Sequence, residues 1–149
     1  VSGKPGSKLW YKPVYSGGSW NQFLLARSVG TVLQVCCGGS DVGVVRVDRD
    51  PTAYAANVIA DQLALPFRDR AFDTVACDPL YELDYPNRIK LQRELARVAR
   101  LRVVFKAPWV PRMSGFKLGE TVLIGSHTCA NVAVMSVLDK ASESGRLPL

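Results

Sequence analysis

Histidine is almost absent from this sequence. His127 is the only one, and no two of Cys36, Cys37, Cys77 and Cys129 have the C-x-x-C spacing. A zinc cage needs about four nitrogen or sulfur ligands at set spacings, so no metal site is expected and His127 is assigned no role. Three of the cysteines lie in apolar runs, where reduced core thiols are the plain reading. No apolar run approaches the ~20 residues that cross a bilayer, so no membrane span is expected. The opening VSGKPGSKLWYKP has no apolar signal-peptide core, and the expected location is cytoplasmic. The G-x-G-x-x-G spacing is missing as well, which lowers the case for a dinucleotide dehydrogenase. There are no internal repeats and no second domain, so residues 1–149 read as a single domain.

What the sequence has is charge in blocks. Residues 1–30 carry four basic and no acidic residues, residues 31–85 four basic and nine acidic, and residues 86–149 eleven basic and four acidic. An acidic middle between basic flanks suits a cationic or polyhydroxyl ligand at the centre and a polyanion across the rim. Residues 1–18 read as an irregular basic arm. Its Trp10, Tyr11 and Tyr15 among Lys4, Lys8 and Lys12 either meet nucleic acid by stacking and charge or fold onto the core. Ser19 is an expected N-cap for a helix to about Ser28, stopped by Gly30. A second helix is expected over Asn87–Arg100, burying Leu91, Leu95 and Val98 at helical spacing. Lys90, Arg93, Arg97 and Arg100 form a basic stripe on another face, either solvated or a contact for nucleic acid.

Four strands are expected between the helices, over Thr31–Cys36, Val44–Val47, Asn57–Ala60 and Phe72–Cys77, and a fifth after the second helix, over Leu101–Phe105. Thr121–Ser126 and Val132–Leu138 read as a closing antiparallel pair, and the polar tail from Ser142 is expected to fray. The second, third and fourth strands each end in a carboxylate: Asp48, Asp61 and Asp78. That repetition argues for an α/β fold with a mostly parallel sheet and one functional edge. The glycine-bearing loop Cys37–Gly43 follows the first strand and lets backbone approach a ligand. Asp48 can accept both hydroxyls of a ribose. Asp61 can accept from an adenine amine, with Gln62 and Leu63 beside the ring. Each carboxylate also has a plainer role as a loop cap.

The runs VLQVCCGG, VRVDRDP and ADQLALPFRDRAFDTVACDPLY together resemble a class I S-adenosylmethionine-dependent methyltransferase over about residues 31–85. DPLY is similar to the D/N-P-P-Y/F motif of enzymes that methylate exocyclic amino groups of nucleobases. The resemblance implies a Rossmann-like, mostly parallel sheet with a closing antiparallel pair. It implies S-adenosyl-L-methionine as cofactor, with Cys36 and Gly38 at its methionine part, Asp48 at its ribose, and Asp61 and Gln62 at its adenine. It further implies Asp78 and the Pro79 carbonyl as acceptors for the target amino group, with Tyr81 stacked on the base. Lys106 and Trp109, ending the fifth strand, are candidate substrate-binding residues, though a buried structural tryptophan is an equal reading.

Two departures stand out. Leu80 replaces the second proline and loosens the loop. Only ten positions separate Gly38 from Asp48, too few for a crossover helix, so helices after the first two strands should be reduced. A sheet face left short of helix could hold a partner or form a homodimer. Nucleic acid is the expected partner, DNA before RNA. A small-molecule or protein methyltransferase and a non-catalytic binding module remain the alternatives.

Overall fold

Short runs of β-branched residues do become the strands. The structure is a computed structural model and describes residues 17–80, 82–126 and 129–142. The strands are β1 (Val32–Val35), β2 (Val45–Asp48), β3 (Val58–Ile59), β4 (Phe72–Cys77), β5 (Ala99–Ala107), β6 (Phe116–Ser126) and β7 (Cys129–Lys140). They form one sheet in the order β3-β2-β1-β4-β5-β7-β6. The first five run parallel, and β7 is antiparallel to both its neighbours. This is the expected α/β architecture with its closing antiparallel pair. The arm with Trp10, Tyr11 and Tyr15, together with Tyr81, His127 and the tail after 142, lies outside the described residues.

Two helices are present among the described residues: α1 (Gly17–Arg27) and α2 (Tyr85–Val98). Strand alternation sorts side chains to two faces, and each helix takes one of them. Leu33, Val35, Val75, Cys77, Val103 and Phe105 share one cluster with Leu91, Leu95 and Val98 of α2. Ala76 and Val104 join Trp20, Phe23 and Leu24 of α1 on the other face, with Met135 and Val137 of β7. Leu91 and Leu95 are fully buried, each stabilising the fold by about 2 kcal/mol.

The second helix is displaced by two residues from the expected span. Asp84 caps it, its side chain accepting from the Asn87 amide at 2.9 Å. Pro86 then falls in the first turn, where its missing N–H leaves nothing unpaired. At the far end Ala99 already pairs with Phe72, so sheet pairing claims residues whose local pattern still reads as helix. The basic stripe is partly consumed by the fold. Arg97 pairs with Glu94 at 2.7 Å and Asp69 at 3.0 Å, and Arg100 with Asp73 at 2.7 Å. Lys90 and Arg93 are exposed.

No helix follows β1 or β2, as the short spacings predict. The connecting loops themselves cover that part of the α1 face, fastened by two polar strand residues. Buried Gln34 in β1 donates to Ser40 Oγ at 2.9 Å and the Val42 carbonyl at 2.8 Å, and accepts from Trp20 Nε1 at 3.1 Å. Arg46 in β2 donates to the Gly43 carbonyl at 2.7 Å and the Ala55 carbonyl at 2.6 Å. Helix packing is replaced here by hydrogen bonds to loop carbonyls.

Candidate functional site

The C-terminal ends of the parallel strands open onto a cavity of about 870 Å3. Its floor is the loop after β1. Cys36 and Gly38 both have left-handed backbone, at φ 58° and 53°. For Cys36 that conformation costs about 1–2 kcal/mol, and at position 38 glycine avoids the penalty. A Cβ on Gly38 would meet nothing within 4 Å, so this backbone faces open space. A Cβ on Gly39 would strike the Tyr54 hydroxyl, so glycine there lets Tyr54 lie across the loop.

Asp48, at the end of β2, holds this floor in place. One carboxylate oxygen accepts from the Gly38 amide at 2.9 Å and the other from the Asp50 amide at 3.0 Å. A carboxylate offers about four acceptor positions, so these two bonds leave room for a pair of ligand hydroxyls. Gln62, after β3, also lines the cavity. It is only 4% exposed, and its Oε1 is buried with no hydrogen-bond partner. A buried, unpaired acceptor on a cavity wall is a place for a ligand N–H.

Asp61 does not line the cavity. It is exposed, and its side chain accepts from the Leu63 amide at 2.9 Å, closing a turn. That turn delivers Gln62, not Asp61, to the wall. Cys36, Gly38, Asp48, Gln62, Asp78 and Lys106 are thus brought together around one cavity.

The opposite end of the cavity is formed by Asp78, Leu80, Lys106 and Trp20. Cys77 pairs with Phe105 in parallel register, so the next residues, Asp78 and Lys106, stand side by side. Lys106 Nζ lies 3.3 Å from Asp78 Oδ2 and 5.9 Å from the centre of the Trp20 ring. Pro79 is buried, whereas Leu80 lines the cavity and is exposed. Tyr81 lies outside the described residues. Trp109 is turned to the other face of the sheet. Its ring packs 5.8 Å from that of Phe105 and beneath the Arg88 guanidinium at 4.0 Å. Alternation along β5 sends Phe105 toward α2 and Lys106 toward α1, and Trp109 follows Phe105. The structure therefore supports its structural reading.

The thiols nearby are poor nucleophiles. Burial, and then the charge of Asp48, push Cys37 up to about 11. Burial, followed by a hydrogen bond with Cys36, pushes Cys77 well above the usual thiol range. Both stay protonated at neutral pH, which disfavours covalent catalysis through either. Sequence reasoning passed over Trp20, Gln34 and Tyr54. A glutamine inside the apolar run VLQV was a usable signal, because a buried amide needs several partners.

No protein-family model matches the sequence, and no curated protein matches it. Solved structures do share its fold. Magnesium protoporphyrin IX methyltransferase from Synechocystis PCC 6803, with bound SAH, is 15% identical with a TM-score of 0.63, over 84% of this chain and 81% of that one. A TehB-like SAM-dependent methyltransferase from Corynebacterium glutamicum is 17% identical with a TM-score of 0.60, over 84% and 88%. The N-methyltransferase NodS from Bradyrhizobium japonicum WM9 is 13% identical with a TM-score of 0.62, over 80% and 90%.

Proposed function

We propose that this chain, which has the fold of the S-adenosylmethionine-dependent methyltransferases, is itself such an enzyme and acts on an exocyclic amino group of a nucleobase. The observation that carries the methyl-donor assignment is the unpaired Gln62 Oε1 on the wall of the cavity that Asp48 and Gly38 floor. These residues fit the donor's parts. Asp48 has acceptor positions left for two ribose hydroxyls, and Gln62 can accept from the adenine amine. Cys36 and Gly38 present backbone to the methionine portion. When bound, S-adenosylmethionine supplies a methyl group on a cationic sulfur, ready to pass to a nucleophile.

The protein's own contribution is to position the acceptor. Asp78 stands on the same cavity and can accept a hydrogen bond from the target N–H, with the Pro79 carbonyl as a second acceptor. Two acceptors fix the amino plane and leave the lone pair directed into the cavity, a gain from orientation and electrostatics. The carboxylate also takes up the N–H proton once the nitrogen becomes cationic. No protein thiolate is needed. Tyr81 would stack on the base, which in a duplex must first leave its stack.

Nucleic acid as the partner is supported by the net charge of +6 and by exposed Lys90 and Arg93 on α2. Arg97 and Arg100 contribute less, because both are held in ion pairs. DNA, modified at adenine N6 or cytosine N4, is the first choice and RNA the second. The test is a labelled-methyl assay over DNA, total RNA and a small-molecule extract, followed by nucleoside analysis. Label in N6-methyladenine or N4-methylcytosine is the expected outcome. Label confined to small molecules would overturn the acceptor assignment, and failure of the wild type to bind the methyl donor would overturn both.

A further inference from the structure

The charges around the cavity are unevenly shared. Three carboxylates (Asp48, Asp50 and Asp78) and two cations (Arg49 and Lys106) line it. Asp48 and Asp50 stand at the ribose end of the proposed donor site. At the acceptor end Asp78 meets Lys106, whose side chain is only 13% exposed against 29% for Asp78. Ion pairs set back from water act strongly on what binds next to them.

We infer that Lys106 is a specificity-determining residue: it cancels the charge of Asp78, so that the site takes neutral amino groups and turns alkylammonium ions away. This deepens the amino-group reading above and rests on it. Methyl transfer to nitrogen requires a lone pair on that nitrogen. An alkylamine at neutral pH is protonated and has none, yet an isolated aspartate would attract it most. An amino group on an aromatic ring is neutral and keeps two N–H donors for Asp78 and the Pro79 carbonyl. With Lys106 at 3.3 Å, the aspartate keeps its hydrogen-bonding geometry but presents no net charge to an arriving cation. Trp20, fixed through its Nε1 to Gln34, adds an aromatic wall that suits a flat acceptor. The chemical class is therefore an aromatic or amide-like amine, and lysine side chains and polyamines are excluded.

The probes are 9-ethyladenine and propylammonium, titrated by calorimetry and ligand-observed NMR into protein saturated with S-adenosylhomocysteine. Wild type should bind 9-ethyladenine at least about tenfold more tightly. Equal or tighter binding of propylammonium by wild type overturns the inference without any variant. Lys106→Gln should tighten propylammonium binding about tenfold and so narrow or reverse the preference for 9-ethyladenine, and Lys106→Arg should keep the wild-type preference. An unchanged affinity of folded Lys106→Gln for propylammonium overturns it as well. The two readings fail separately. Base methylation with no propylammonium gain in Lys106→Gln removes only the role of Lys106. The gain without base methylation keeps that role and removes the nucleobase.

Discussion

Replacing Gln62 with methionine should make the protein more stable and its hold on the methyl donor weaker. The residue is 4% exposed and its Oε1 has no partner. An acceptor buried in that condition costs about 1–3 kcal/mol. Methionine is similar in length and has no polar group to leave unpaired, although repacking takes back part of the gain. The net expectation is about 1 kcal/mol of added stability without ligand, a rise in melting temperature of about 3 °C for a chain of this size. The sign reverses on binding. An adenine amine of the proposed donor that loses this acceptor forfeits about 1.4 kcal/mol, a tenfold weaker Kd. Thermal melts with and without S-adenosylhomocysteine, together with calorimetry, read both quantities from one preparation. A lower melting temperature with unchanged affinity would refute the reasoning, since Oε1 would then be satisfied inside the protein and irrelevant to the ligand.

The adjacent glycines should separate by mechanism. Gly38→Ala meets no atom but sits at φ 53°, so it should lose about 1 kcal/mol of stability in denaturant melts. Gly39→Ala has ordinary backbone but strikes the Tyr54 hydroxyl. Because that ring is exposed and can swing aside, stability should hardly change while S-adenosylhomocysteine affinity does, and Tyr54→Ala should relieve the effect in a double-mutant cycle. Glu94 is held below its usual value of 4.5, first by its hydrogen bond with Arg97. A depressed carboxylate adds stability that is present above the unfolded value and lost as pH falls through the folded one. The stability difference between wild type and Arg97→Met should therefore shrink below about pH 4.5, as followed by urea melts at several pH values. Trp109→Leu should cost about 2 kcal/mol through lost packing on Phe105 and Arg88 and leave S-adenosylhomocysteine affinity unchanged. A large loss of affinity would place Trp109 at the site after all.

The strands were legible because β-branched runs and their closing carboxylates are local features. Asp48 and Asp78 could be assigned to a common edge from that repetition alone. Asp61 and Trp109 could not be placed, because their positions turn on which way a single turn or strand end rotates. The sequence places Asp61 and Gln62 next to each other, and only the turn closed by the Leu63 amide decides which one enters the cavity. Likewise Lys106 and Trp109 are three positions apart, yet alternation sends them to opposite faces of the sheet. The boundary between α2 and β5 moved because pairing of Ala99 with Phe72 outweighs the helical pattern.

By itself the sequence determined the order of strands and helices, the shortness of the links after β1 and β2, and the glycine loop facing a row of carboxylates. All of these follow from spacing and from local conformational preference. Only the tertiary structure decided how the sheet survives without those helices, through Gln34 and Arg46 bonding the loops that stand in for them. It also decided that Asp78 meets Lys106 across adjacent strands. Such pairings depend on strand register between segments far apart in the chain, and no local pattern encodes the register.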